Sequence, residues 1–412
     1  MSLGLVRVAF AAAAVALLAA LAPAGDSAGQ DRDQTTTLIS RSASGGVPNG
    51  PSTNGVISND LRYARLIAFQ SDGSDVVAGD TNGVTDVFAV KRGGSFSNKG
   101  TPWQPGGTVL ASKPRTAKIA NGPSFAPAVD GGVDTAPRCV AFLSAASNLL
   151  GGDTNGKVDA FLSKGPGVSI TRVSLPDGKQ STTDTTQVAI SRDCSRVAFV
   201  AGGKLYVRTG GKTRRLNVKG NEADPSFAAG KTNDLVFAGR KGVYLSAEAT
   251  GSPKLVAKGG RDPAYNSIKR QTLAYEKTVD GRVQVFSRDL GRDERLVSHH
   301  RGRPGDGDSR DPVIGNSGYY VAFESDAANL GTNAGGKQDD GNGQTDVYLY
   351  TEVRDLTLVQ SVESKADPLP LGGVRPSMSF YANYLLFDSP APLSTTDPGA
   401  PPQVFMRYLG GV

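Results

Sequence analysis

Seven short apolar triplets ending in an aromatic punctuate an otherwise polar chain: Ile67-Ala68-Phe69, Val140-Ala141-Phe142, Val197-Ala198-Phe199, Leu235-Val236-Phe237, Leu273-Ala274-Tyr275, Val321-Ala322-Phe323 and Leu385-Leu386-Phe387. Apolar runs this short, bounded by turn residues, read as strands buried on both faces. Each is preceded by another strand, led by Pro127, Pro225, Pro263, Pro312 and Pro376 in five copies and formed by Val56-Ile57-Ser58 and Val188-Ala189-Ile190-Ser191 in the other two. An alternating strand follows each triplet, centred on Phe88, Phe161, Tyr206, Tyr244, Phe286, Tyr348 and Phe405. A fourth strand recurs in the same rhythm, from Thr37-Leu38-Ile39-Ser40 to Thr357-Leu358-Val359. No window of a dozen residues carries the i, i+3, i+4, i+7 pattern of an amphipathic helix.

Four strands in seven units predict an all-β fold, a seven-bladed β-propeller of four-stranded antiparallel blades. One such unit cannot bury both its faces, whereas radial stacking covers each blade with two neighbours. The first strand, from Thr36, is of the outermost type and the last, Val404 to Tyr408, of the third type. The N-terminal strand is therefore expected to complete the last blade, making 36–412 one domain. The spacing between successive triplet aromatics runs from 38 to 73 residues, so loops vary on a constant scaffold, which is where binding tends to reside.

The run Ala189-Ile190-Ser191-Arg192-Asp193, then Arg196-Val197-Ala198-Phe199, then Leu205-Tyr206-Val207-Arg208 resembles the WD-type repeat of the TolB-like β-propeller family. The resemblance extends over nearly all of the chain after its leader. It implies a propeller without the N-terminal α/β domain of TolB, and it is more specific for architecture than for activity.

Val6 to Leu21 form an alanine-rich apolar run interrupted only by Arg7, followed by Ala22-Pro23-Ala24. This predicts a signal peptide over 1–24, with cleavage as late as 28, and a disordered linker over 25–35; an uncleaved anchor is the other reading. The expected location is periplasmic, cell-surface or secreted. Gly (52) and Pro (24) are spread along the chain, and the formal charge of +6 comes from 45 basic and 39 acidic residues that are well mixed. That dispersion argues against a nucleic-acid surface. A soluble monomer with no membrane span after the leader is expected. Cys139 and Cys194 stand near the triplets of neighbouring units, so an exported chain could bridge them as a disulfide or keep two buried thiols.

Three loops between the triplet and the alternating strand share the spacing Asp-x-Asn-Gly-x-x-Asp: Asp80, Asn82 and Asp86; Asp153, Asn155 and Asp159; Asp340, Asn342 and Asp346. Oxygen ligands at these positions around a Gly turn could gather calcium. The alternative is that Asn-Gly makes the turn and the flanking Asp residues cap backbone N–H groups. The seventh unit has Asp397-Pro398-Gly399 and Gln403 instead.

No catalytic residue is assigned. The adjacent His299 and His300 are the chain's two histidines, and Ser317 in Gly315-Asn316-Ser317-Gly318 lacks a nucleophile elbow. Phosphate-binding Gly loops and zinc-type spacings are missing, and propeller peptidases carry their catalytic serine in a separate α/β-hydrolase domain. The expectation is an exported, non-enzymatic scaffold that binds a protein, peptide or envelope polysaccharide through its loops or central channel. A metal-dependent hydrolase or lyase in that channel, or a purely structural secreted protein, are the alternatives.

Overall fold

Each triplet aromatic meets the aromatic of the following strand directly across the ladder, as Phe69 with Phe88, Phe142 with Phe161 and Phe323 with Tyr348. All seven blades carry such a pair, ring centroids 5.3–6.2 Å apart and stacked. Cross-strand aromatic pairs of this kind tie two strands together beyond what burial alone gives.

The computed structural model describes residues 35–61, 63–94, 103–218, 220–315, 318–331, 340–362 and 369–410. The predicted signal peptide and almost all of the predicted linker lie outside them, as does Ser317. The described residues form seven four-stranded antiparallel sheets. The second blade runs Ser124–Val129, Cys139–Ser144, Asp159–Lys164 and Ser169–Arg172 from the inside outward. An eighth, two-stranded sheet pairs His299–His300 with Arg303–Pro304 beside the short outer strand of blade 5. The described residues contain no α-helix, only 3₁₀ turns such as Pro176–Gly178. None of their helical turns is long and apolar enough to cross a membrane.

The core is distributed as seven clusters, each shared by two neighbouring blades. Alternation within the strand explains this: Ile67 and Phe69 face blade 7, while Leu66 and Ala68 face blade 2. Each inner strand also touches the next around the ring, blade 7 meeting blade 1.

The ring closes as the sequence predicts. Thr36–Leu38 pairs antiparallel with Pro402–Tyr408, placing Thr36 opposite Arg407 and Leu38 opposite Phe405 in the seventh blade. Ile39 follows, 1% exposed, with its N–H on the Val404 carbonyl. The Ser40 hydroxyl then donates to Gln403 Oε1 at 2.8 Å and accepts the Val404 N–H at 3.0 Å. Four other blades repeat this clasp, Ser112 on Asp86, Ser174 on Asp159, Ser298 on Gln284 and Ser361 on Asp346. The chain's N-terminal segment thus supplies the seventh blade with the serine that these four blades take from two residues past their own fourth strand.

Between blades 2 and 3, Cys139 and Cys194 are joined by a disulfide with their Cα atoms 6.1 Å apart. Cys139 opens a strand, and Cys194 sits in a turn with left-handed backbone, φ 60°.

Candidate functional site

All seven inner strands are interrupted by a bulge at corresponding places, the register skipping between Thr53 and Val56, Phe125 and Ala128, Thr185 and Gln187, Ala223 and Ser226, Arg261 and Ala264, Arg310 and Val313, and Val374 and Ser377. Six bulges hold a non-glycine residue at positive φ: Asn54, Ala126, Asp224, Asp262, Asp311 and Arg375. Such backbone is unfavourable for a residue with a Cβ and clusters at functional sites. Five of the six precede a proline. The neighbouring blade stabilises the bulge through its N–H: Asn54 donates to Asp388 Oδ2 at 2.8 Å, Ala126 to Gln70 Oε1 at 2.9 Å and Asp224 to Gln187 Oε1 at 2.8 Å. Asp311 donates to Glu276 Oε1 at 3.1 Å, and Arg375 to Glu324 Oε2 at 2.8 Å.

Because the inner strands ring the axis, these bulges set its chemistry. On the side of blades 4 to 6 the result is acidic: one carboxylate oxygen each from Asp262, Glu276 and Asp311 lies within 4.8 Å of the others. Burial, then the charges of Asp311, Glu276 and Asp224, push the Asp262 carboxyl well above the usual range. Glu276 is raised by burial despite the guanidinium of Arg261, whose Nε lies 2.9 Å away. Glu324 is raised by burial as well, with Asp311 adding to the effect. Asp311 is exposed, so the cluster opens to solvent. The sequence reading missed these acids, although Asp224-Pro225, Asp262-Pro263 and Asp311-Pro312 repeat an Asp before the strand-leading proline in three consecutive units.

The three acidic loops share one internal brace. The amides of Asn82, Asn155 and Asn342 donate to Oδ2 of Asp86, Asp159 and Asp346 at 2.6, 3.1 and 2.7 Å. Their carbonyl oxygens accept the N–H two residues on, from Val84, Lys157 and Gln344. This is the turn-locking arrangement expected of Asn-Gly. The loops differ in what faces the first acid. Arg172 lies 2.8 Å from Asp153 and 3.5 Å from Asp159, over the Phe161 ring. Tyr348 donates its hydroxyl to Asp340 at 2.8 Å. In the first loop the corresponding residues are Leu110 and Phe88, which offer neither group. Burial raises Asp86 to about 6 and Asp346 to about 7, with Asp80 and Asp340 adding repulsion.

The histidines are spoken for or isolated. His299 accepts the Gly302 N–H at Nδ1 and places Nε2 3.2 Å from Asp355. His300 is 2% exposed, neither ring nitrogen is hydrogen-bonded among the described residues, and burial followed by Arg301 lowers its pKa.

No protein-family model matches the chain, and no curated protein matches it. Among solved structures, the β-propeller domain of the Trilobed protease from Pyrococcus furiosus, described as having an open velcro topology, is similar at TM-score 0.50 and 7% identity, over 87% of this chain and 93% of that one. A puromycin-hydrolyzing peptidase of Mycobacterium tuberculosis is similar at TM-score 0.52 and 10% identity over 87% of this chain; the chain spans 51% of that peptidase. A TolB-type structure from Agrobacterium tumefaciens aligns at TM-score 0.38 and 12% identity, over 73% of this chain and 94% of that one. The first two likenesses show the propeller fold alone and are neutral on whether the chain is an enzyme.

Proposed function

We propose that the chain is an exported, monomeric, non-enzymatic scaffold of TolB-like type, whose axial opening at blades 4 to 6 takes a basic segment of a protein or peptide. The observation that carries this reading is the convergence of Asp262 and Asp311, both on bulged backbone, with Glu276 of the strand beside them. Carboxylates crowded together favour an incoming cation, because it relieves their mutual repulsion as well as pairing with each. A neutral envelope polysaccharide would gain less from this charge.

Titration of a labelled Lys/Arg-rich peptide, followed by fluorescence anisotropy, tests it. Asp262→Asn/Asp311→Asn should weaken binding about tenfold or more, a loss of roughly 1.4 kcal/mol, and added salt should weaken the native protein's binding. Equal affinity for an acidic control peptide would refute the reading. The same acids favour one alternative, a hydrolase or lyase using a carboxylate-bound metal. Turnover on lactone, ester or glycan panels that disappears with chelator and in the double variant would establish it instead.

For the acidic loops, the reading extends to calcium at the first and third. Its support is that the second loop already holds a cation, Arg172, between its two acids, whereas Asp80 with Asp86 and Asp340 with Asp346 have none among the described residues. Binding would require the Asn82 and Asn342 amides to rotate and present oxygen. Calcium at a hundred times its dissociation constant should stabilise the native protein by roughly 2.7 kcal/mol per site. The matching rise in Tm should be lost in Asp80→Asn/Asp340→Asn. A Tm indifferent to both calcium and chelator leaves these loops as hydrogen-bonded turns.

A further inference from the structure

The turn after the inner strand carries a recurring device. In blades 1, 3 and 7 the residue at this point is Ser58, Ser191 or Ser379. Its hydroxyl accepts the N–H that starts the next strand, from Leu66 at 3.2 Å, Arg196 at 2.9 Å and Tyr384 at 3.1 Å. Blade 2 places Asp130 there instead, accepting the N–H groups of Arg138 and Cys139 on Oδ1 at 2.7 and 2.8 Å. One oxygen suffices for the structural task, as the serines show. The second, Oδ2, is buried without a hydrogen-bond partner among the described residues, on a side chain 1% exposed. Leaving a carboxyl oxygen unsatisfied in the interior is costly, so its presence calls for a use.

That use lies beside it. One Asp130 oxygen is within 4.8 Å of both sulfurs of the Cys139–Cys194 disulfide. Cys139 is fully buried, and Cys194, in its turn, is 7% exposed. We propose that this disulfide is a thiol–disulfide exchange site for a dithiol reductant, with Asp130 as the proton donor to its buried sulfur.

The reductant's thiolate attacks Sγ of Cys194, the more exposed of the two residues, and forms a mixed disulfide as the Cys139–Cys194 bond breaks. The electron pair passes to Cys139 Sγ, which would otherwise be a thiolate in an apolar cluster with Ala141, Val197 and Phe199. Asp130 gives it a proton and becomes a carboxylate. The reductant's second thiolate attacks the mixed disulfide and releases Cys194 as a thiolate, which takes a proton from solvent. The dithiol is oxidised to its disulfide, and the cysteine pair has gained two electrons. A serine could hold the strand but has no acidic proton to give.

Burial pushes the Asp130 carboxyl up to about 7, while the N–H groups of Cys139 and Arg138, then the Arg138 charge, offset part of that. The charges facing it from blade 3 are otherwise engaged. Arg192 pairs with Asp134. Against its partial burial, Asp193 is held low by hydrogen bonds from Ser195, Asn233 and Ser191. Below pH 7 the donor carries its proton and above it does not, so the rate constant per attacking thiolate should fall as pH rises through about 7.

The experiment measures reduction of the full chain by dithiothreitol, trapping thiols by alkylation and dividing each rate by the thiolate fraction. Asp130→Asn keeps an oxygen for the two N–H groups but has no acidic proton. It should react about tenfold or more slowly below pH 7, with a flat profile. Asp130→Ser, the residue of the sibling blades, should behave the same way and guards against a folding defect peculiar to Asn. Native and variant proteins with the same thiolate-corrected profile would overturn the proposal. So would a native disulfide whose reduction rate never exceeds the rate of global unfolding.

Discussion

Replacing Ile39 and Ser40 with alanine should cost the whole ring about 4 kcal/mol or more in unfolding free energy, although both lie outside the last blade's own consecutive strands. A buried Ile→Ala change costs about 2–5 kcal/mol, and Ile39 is 1% exposed in the cluster that joins blades 1 and 7. Ser40→Ala leaves Gln403 Oε1 without its donor and the Val404 N–H without its acceptor, both buried; such losses cost about 1–3 kcal/mol each. The two residues are neighbours, so their effects need not sum. Denaturant titration should show the loss as one cooperative transition at lower midpoint. An unchanged midpoint would mean that the Ile39 side chain and the Ser40 clasp contribute nothing to holding the ring shut. The single Ser112→Ala variant is the internal control, since it breaks the same clasp in blade 1 with Asp86 as the bereaved partner.

Removing the disulfide should have an effect of similar size by a different route. Cys139 and Cys194 are separated by 55 positions, and cross-linking a loop of that length limits the unfolded chain by about 4 kcal/mol in the chain-entropy account. Cys139→Ala/Cys194→Ala is preferred to serine, because a hydroxyl would be buried among Leu143, Ile190 and Val197. Its unfolding free energy should drop by about 4 kcal/mol, most of it through the denatured state. A difference below about 1 kcal/mol would show that the unfolded chain is already compact across blades 2 and 3.

The architecture was legible because a period-2 strand buried on both faces leaves few choices: Val140-Ala141-Phe142 must pack Ala141 against one neighbour and Phe142 against the other, and both contacts are found. Ring closure was legible for the same reason, since an outer strand at one end and a third strand at the other are complementary. The axial acids were not legible. Asp262 and Asp311 are 49 positions apart, and only the bulge, a backbone event invisible to hydrophobic patterning, directs both to one place. The acidic loops stood out by spacing, yet spacing does not reveal that Arg172 belongs to the second loop, because the ladder sets it opposite Phe161. The disulfide partners were legible as neighbours but not as a bonded pair, for Cys194 depends on the left-handed turn in which it sits.

The seven inner bulges divide labour between main chain and side chain. In five of the six with left-handed backbone, the peptide N–H grips the adjoining blade whatever the side chain is, and the side chains of Asn54, Asp224 and Arg375 add bonds to Gln70, Gln187 and Asp388. Asn54, Ala126, Asp224, Asp262, Asp311 and Arg375 already occupy equivalent stations with four kinds of chemistry among neutral amide, methyl, carboxylate and guanidinium. A molecule built this way can exchange the lettering around its hub one spoke at a time, altering what it greets while the wheel itself stays true.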